Sequence, residues 1–117
     1  MYHRFDENKY PSTNIQMDVF VKQIEMIKNS NYDFYDIQKF IDNFNEPKNE
    51  KKILITIDDA FSSFYEIAWP FLKENKIPFI LFVSTEPVGN NGYMTWDQIR
   101  EVEKESFAYI GHHSHTH

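Results

Sequence analysis

Two clusters in this chain hold side chains that can do chemistry. The first is Asp58-Asp59, a pair of carboxylates at the end of the run Ile53-Leu54-Ile55-Thr56-Ile57. The second is His112-His113-Ser114-His115-Thr116-His117, which contains four of the five histidines. Carboxylate and imidazole are donors that a divalent ion such as zinc accepts. The chain has no cysteine, which excludes both a thiolate site and a disulfide framework. His113 and His117 stand at i and i+4. Extended, they would lie about 13 Å apart, too far for one ion; in a helical turn such side chains come within about 5–6 Å. Metal binding therefore requires the chain to turn just after Gly111. Two histidines and one carboxylate make a tripod with open coordination positions, as hydrolytic metal sites need. Asp59 would complete it, leaving Asp58 as a general base. His112 and His115, at i and i+3, are a rival pair. Asp58 and Asp59 also suit the N-cap of a following helix.

Positioning these residues is a matter of strands. Side chains alternate faces along a strand, so Asp58 and Asp59 share a site only if the strand stops and the backbone turns. The run 53–57 does not alternate apolar with polar, which suits a strand buried on both faces. Pro78-Phe79-Ile80-Leu81-Phe82-Val83 repeats that signal, and Phe107-Ala108-Tyr109-Ile110, stopped by Gly111, is a third case. Phe64, Ala68, Phe71 and Leu72 share one side of a predicted helix over 61–75. Pro70 inside it predicts a kink there or a break just before it. Loop 84–94 carries Gly89 and Gly92, and Thr95-Trp96-Asp97-Gln98 fits a capping box opening a helix of about ten residues. Strand, helix, strand, helix, strand predicts a parallel sheet with right-handed crossovers. Such folds keep their chemistry at strand ends.

Upstream, Tyr2-His3-Arg4-Phe5 is a candidate short strand, and 11–14 a loop. Asp18 is read as the N-cap of an amphipathic helix over 18–29, with Phe20, Ile24 and Ile27 on one face. Ile37, Phe40, Ile41 and Phe44 repeat at helical spacing after Asp36. Segment 45–52 is a charged surface loop. No repeat or low-complexity tract interrupts the chain.

Composition narrows the class. A chain of 117 residues with 41% hydrophobic and 17% aromatic side chains can build one packed domain and is not disordered. The expectation is a single domain over 1–117. A net charge of −6 argues against nucleic acid as a partner. The start lacks a signal-peptide pattern, and no apolar stretch approaches a membrane span, so the default expectation is a soluble, cytoplasmic chain.

The motifs resemble those of the polysaccharide deacetylases, the NodB-homology family. Its Thr-Phe-Asp-Asp-Gly motif is similar to Thr56-Ile57-Asp58-Asp59-Ala60, and its His-Ser/Thr-x-x-His motif to His113-Ser114-His115-Thr116-His117. Tyr2-His3-Arg4 looks like the Tyr-His-Arg of the family's first strand. Tyr93-Met94-Thr95-Trp96-Asp97-Gln98 is similar to a segment preceding its second motif. The resemblance implies an α/β fold, a distorted (β/α) barrel with fewer than eight strands. It implies removal of N- or O-acetyl groups from an acetylated glycan with zinc or a similar ion. Asp58 would be the base, Asp59, His113 and His117 the metal ligands, and Ser114 would steady the loop by hydrogen bonding. His3 would either line the site or sit as a hydrogen-bonded core histidine. Tyr93 and Trp96 would either stack on a sugar or pack the loop onto the barrel. A reading from another class is a non-catalytic glycan- or metal-binding relic.

Two departures stand out. Ile57 replaces Phe within an apolar row. Ala60 replaces Gly, which matters if that position needs positive φ. The family's later motifs should supply an Arg that orients the base and a His general acid, and neither is found before His117. A (β/α) barrel takes about 200 residues or more, so the expectation is a partial barrel truncated after the second motif. Residues 1–117 alone should then bind metal weakly, dissolve poorly and release little acetate. A monomer that melts cooperatively and releases acetate at ordinary enzyme rates would overturn this.

Overall fold

The computed structural model describes residues 1–10, 13–42 and 51–112. The chain opens with β1 (Arg4–Phe5) and β2 (Asn14–Ile15), a short parallel pair. Helix α1 (Met17–Lys28) follows, then β3 (Asp33–Phe34), α2 (Ile37–Asp42) and β4 (Lys52–Ile53), with β3 and β4 again parallel. The central sheet is β5 (Thr56–Asp58), β6 (Phe79–Val83) and β7 (Ala108–His112), in that order and parallel throughout. A π-helical segment, Phe64–Ala68, runs into α3 (Trp69–Asn75) between β5 and β6. Helix α4 (Trp96–Glu103) joins β6 to β7. This is the βαβαβ succession expected from the apolar runs.

The predicted strand 53–57 is divided between two partners. Lys52 and Ile53 pair with β3, which is only two residues long. From the Ile55 carbonyl, which accepts the Ile80 N–H at 3.0 Å, the partner is β6. The first residues add to the other edge of β5. Tyr2 bridges Ile57 in parallel, donating to the Thr56 carbonyl at 2.9 Å and accepting from the Asp58 N–H at 2.8 Å.

Helix α1 begins one residue before the predicted start, and Asp18 is not its cap. Asp6 leaves β1 in the left-handed region (φ 56°), and its Oδ1 accepts the Met17 N–H at 2.6 Å. Asp18 lies instead in the first turn, where an acid suits the helix dipole. A cap delivered from eleven residues upstream leaves no local signature. Asp36 does cap α2, accepting the Lys39 N–H at 3.1 Å. Phe44, residues 45–50 of the predicted loop over 45–52, Pro11 and Ser12 lie outside the described residues, and Lys52 at the end of that loop opens β4 instead.

Pro70 produces the expected break. Trp69 donates to the Phe64 carbonyl, one residue wider than an α-helical bond. The wide turn lets α3 restart with Pro70 in its first turn, where the missing N–H costs least. The Thr95 capping box forms as read: Thr95 Oγ1 accepts the Gln98 N–H at 3.2 Å, and Gln98 Oε1 accepts the Thr95 N–H at 3.0 Å. Helix α4 has eight residues rather than about ten.

The core joins the sheet to the helices. Phe5, Phe20, Ile57, Phe64, Leu72 and Phe79 are fully buried. Phe5 meets Phe20 edge-on at 5.1 Å, and Phe64 meets Phe79 at 5.5 Å. Edge-to-face rings of this kind add to the burial of their apolar area. Among the described residues no helix is long and apolar enough to cross a membrane.

Gly111 does not stop β7; the strand runs on to His112. Gly111 pairs with Phe82, and a Cβ there would lie 2.9 Å from the Phe82 ring. The glycine is inside the strand because the ring needs that space. Gly111→Ala should therefore cost about 1–3 kcal/mol by overpacking, read as a lower urea midpoint. Unchanged stability would mean that the Phe82 ring swings aside freely.

Candidate functional site

The site is built where the central strands end together. Asp58 pairs with Phe82, and Phe82 with Gly111, so one row crosses the sheet one residue before β6 and β7 finish. The C-terminal ends of β5 and β7 therefore share an edge, separated by β6. Strand spacing puts them about 10 Å apart. His113, Ser114, His115 and His117 lie outside the described residues. For His112 the backbone closes β7 opposite Val83, so any turn of the histidine segment comes after His112 rather than after Gly111.

Asp59 and Ala60 both have positive φ, 78° and 52°. This left-handed pair ends the strand and breaks the alternation that would otherwise send the two acids to opposite faces. Backbone bonds hold the turn on both sides. The Asp59 N–H donates to the Phe82 carbonyl at 2.9 Å, and the Ala60 carbonyl accepts the Met94 N–H at 2.9 Å. The carboxylates meet around one imidazole nitrogen: His3 Nε2 lies 3.6 Å from Asp58 Oδ2 and 3.9 Å from Asp59 Oδ2. Asp58 is 6% exposed and Asp59 4%. The His3 side chain is 27% exposed and faces the two carboxylates rather than being enclosed in the core. The next helical stretch has Ser63 at its boundary, without a side-chain cap.

Ser84 was not singled out from the sequence. It is fully buried, and its Oγ donates to Asp59 Oδ1 at 3.5 Å, a long bond. Its position directly after β6, at the same end of the sheet as the turn that follows β5, is the signal that could have found it. Tyr2 anchors the His3 segment. Its ring meets Phe20 edge-on at 4.8 Å and its hydroxyl hydrogen-bonds Gln23 Oε1. Burial pushes the Tyr2 phenol above its ordinary pKa, so it stays a neutral donor. Tyr93 packs on Phe61 with ring centroids 5.0 Å apart, which fits its packing role. Trp96, at the start of α4, is 44% exposed and its surface is open.

Two like charges held out of water side by side are costly unless a cation or donors offset them. Carboxylate oxygens and imidazole nitrogens are the donor types a divalent ion accepts. The described residues alone contain no cluster of three or more metal-ligating side chains.

Comparisons with known proteins agree with one another. Residues 45–117 match the sequence model of the polysaccharide deacetylase family. The chain is 29% identical over 108 residues to a poly-β-1,6-N-acetyl-D-glucosamine N-deacetylase of Staphylococcus aureus, covering 89% of this chain and 37% of that protein. Its fold is similar to that of IcaB from Ammonifex degensii, with TM-score 0.82 and 30% identity over 96% of this chain and 50% of that one. It is also similar to a de-N-acetylase from Aggregatibacter actinomycetemcomitans, with TM-score 0.80 and 24% identity over 96% of this chain and 52% of that one. The architecture is thus part of the same distorted barrel. The chain spans about half the length of these solved chains and less of the curated relative.

Ala60 stands where the motif quoted above has glycine, and its φ of 52° makes the departure matter. A Cβ in the left-handed region costs roughly 1–2 kcal/mol. The residue is also buried, so Ala60→Gly gives up a little packing and gains unfolded-state entropy. The expected net result is a gain of about 0.5–1 kcal/mol, measured by denaturant unfolding. A loss of stability would mean that the methyl group's packing outweighs the strain.

Proposed function

Because the chain belongs to the polysaccharide deacetylase family, we propose that it carries the water-activating part of a metal-dependent hydrolase that removes acetyl groups from a glycan. The observation behind this reading is the buried Asp58–Asp59 pair facing one imidazole at the end of a parallel strand. The Staphylococcus aureus relative is named for a β-1,6-linked N-acetylglucosamine polymer. We assign the same substrate class here, with an acetamide as the bond cleaved.

Asp59, His113 and His117 would hold the ion, for which zinc suits a carboxylate and two imidazoles. When bound, such an ion polarises an acyl carbonyl and acidifies a water. The chain's own residues do the proton work. Asp58 accepts the proton of the attacking water; its place in the turn keeps it near the reacting atoms and out of bulk solvent. His3, facing the same carboxylates, returns a proton to the departing amine, so the proton taken from water is matched by one delivered. Ser84 Oγ restrains Asp59, the role of a hydrogen bond behind a metal ligand. Ser114 would do the same for the histidine loop. Trp96 offers its exposed face to a sugar ring, and Tyr93 backs the loop that carries it.

Zinc titration and acetate release separate these roles. Asp59→Ala and His113→Ala should each weaken zinc binding by at least about tenfold. Asp58→Asn should leave affinity nearly intact and remove acetate release from an N-acetylglucosamine oligomer. His3→Ala should slow release by about 10²–10⁴-fold with zinc affinity retained. A chelator should stop whatever release residues 1–117 support. If Asp58→Asn abolished zinc binding while Asp59→Ala spared it, the two roles would be exchanged. Zinc and glycan binding with no acetate from the protein would instead favour a non-catalytic relic.

A further inference from the structure

Arg4 has no part in the chemistry above, yet its surroundings are unusual. Its guanidinium lies between two aromatic rings, 3.8 Å from the Tyr10 centroid and 3.9 Å from the Phe61 centroid. Phe61 in turn packs on Tyr93. The stack therefore runs Tyr10, Arg4, Phe61, Tyr93. One guanidinium nitrogen donates to Thr13 Oγ1 at 2.7 Å. Nε is buried without a hydrogen bond, 3.6 Å from Glu7 Oε2, which is likewise buried and unbonded. The side chain is only 17% exposed.

A guanidinium buried with an unbonded Nε is costly. An apolar residue would pack against Tyr10 and Phe61 without that cost, and a lysine would still bury a charge. What they would lose is the planar group that engages a ring on each face. The placement explains its use. Arg4 directly follows His3, and Phe61 directly follows the left-handed pair Asp59-Ala60. The contact joins the segment carrying the imidazole to the turn carrying the carboxylates. We propose that Arg4 is a positioning residue: stacked between Tyr10 and Phe61, it holds His3 in register with Asp58 and Asp59. The inference rests on the deacetylase reading for its catalytic meaning, while the coupling itself is a property of the protein without substrate.

The test is NMR on the metal-free protein, which needs no turnover. In the parent, the Arg4 Nε–H should be shifted upfield by ring current from both faces. Arg4→Lys and Phe61→Leu should each displace the His3 ring signals and the Asp59 amide signal, and Phe61→Tyr should restore their positions. Tyr10→Ala removes the solvent-side ring without opening the core and should act in the same direction. Val102→Ala, a core truncation in α4, is the control for general loosening. Where the protein turns over, Arg4→Lys should lower kcat by about tenfold or more with KM nearly unchanged, as expected for misplaced reacting groups. His3 and Asp59 signals that ignore Arg4→Lys, Phe61→Leu and Tyr10→Ala, or that move equally in Val102→Ala, would overturn the proposal. So would a loss confined to KM. Displaced signals in a protein that binds no N-acetylglucosamine oligomer would leave the positioning intact and remove the deacetylase reading.

Discussion

The left-handed turn at Asp59-Ala60 is the constraint on which the rest of the site depends. A β-strand sends successive side chains to opposite faces, so two adjacent acids cannot serve one reaction while the strand continues. Reversing φ at two residues brings both carboxylates to the same imidazole. Such a turn does not hold itself, because each non-glycine residue there is strained. Backbone bonds to Phe82, Met94 and Tyr2 hold it, drawing on β6, loop 84–94 and the N-terminal segment together. Elements far apart in the chain thus meet at one strained point.

Packing explains why the turn stays in place. Ile55 and Ile57 ahead of the turn are buried, as are Ala60 within it and Phe61 just after it. Anchors on both sides leave the intervening acids little freedom. Behind them, Ser63 Oγ accepts the Phe5 N–H at 3.0 Å, tying β1 to the following helix. The π-helical segment belongs to the same logic. It lets Pro70 fall in the first turn of α3, and Phe64 and Leu72 are both fully buried in the core. The apolar layers therefore fix where the strand ends fall, and the strand ends fix the chemistry.

The electrostatics run the other way. Burying Asp58 and Asp59 side by side destabilises the fold in isolation. A protein without a use for them would gain from apolar replacements of similar size. A cation bound beside such a pair would offset part of that cost. Ser84 Oγ at 3.5 Å and His3 Nε2 at 3.6–3.9 Å are among the polar groups that face the two acids.

Much of this was legible in the residues themselves. Unbroken apolar runs identified β6 and the parallel sheet, because a strand covered on both faces cannot afford alternation. The Thr95 box and the Pro70 break were legible because their causes are local: one hydroxyl, one amide, one missing N–H. Asp58-Asp59 stood out because paired acids have no place at the end of a buried strand. What lay beyond the sequence was long-range. Asp6 capping α1, the division of 53–57 between two partner strands, Gly111 continuing β7 under the Phe82 ring, and Ser84 beside Asp59 each depend on a neighbour distant in the chain. So does His3, whose residue type allowed two roles and whose position settled that it faces the acids. The sequence determined which side chains were available and which segments would be strands or helices, since those follow from local sterics and periodicity. Tertiary structure alone decided which side chains meet, since that depends on the register of parallel strands and on two backbone angles at Asp59 and Ala60 that no local preference of those residues would choose.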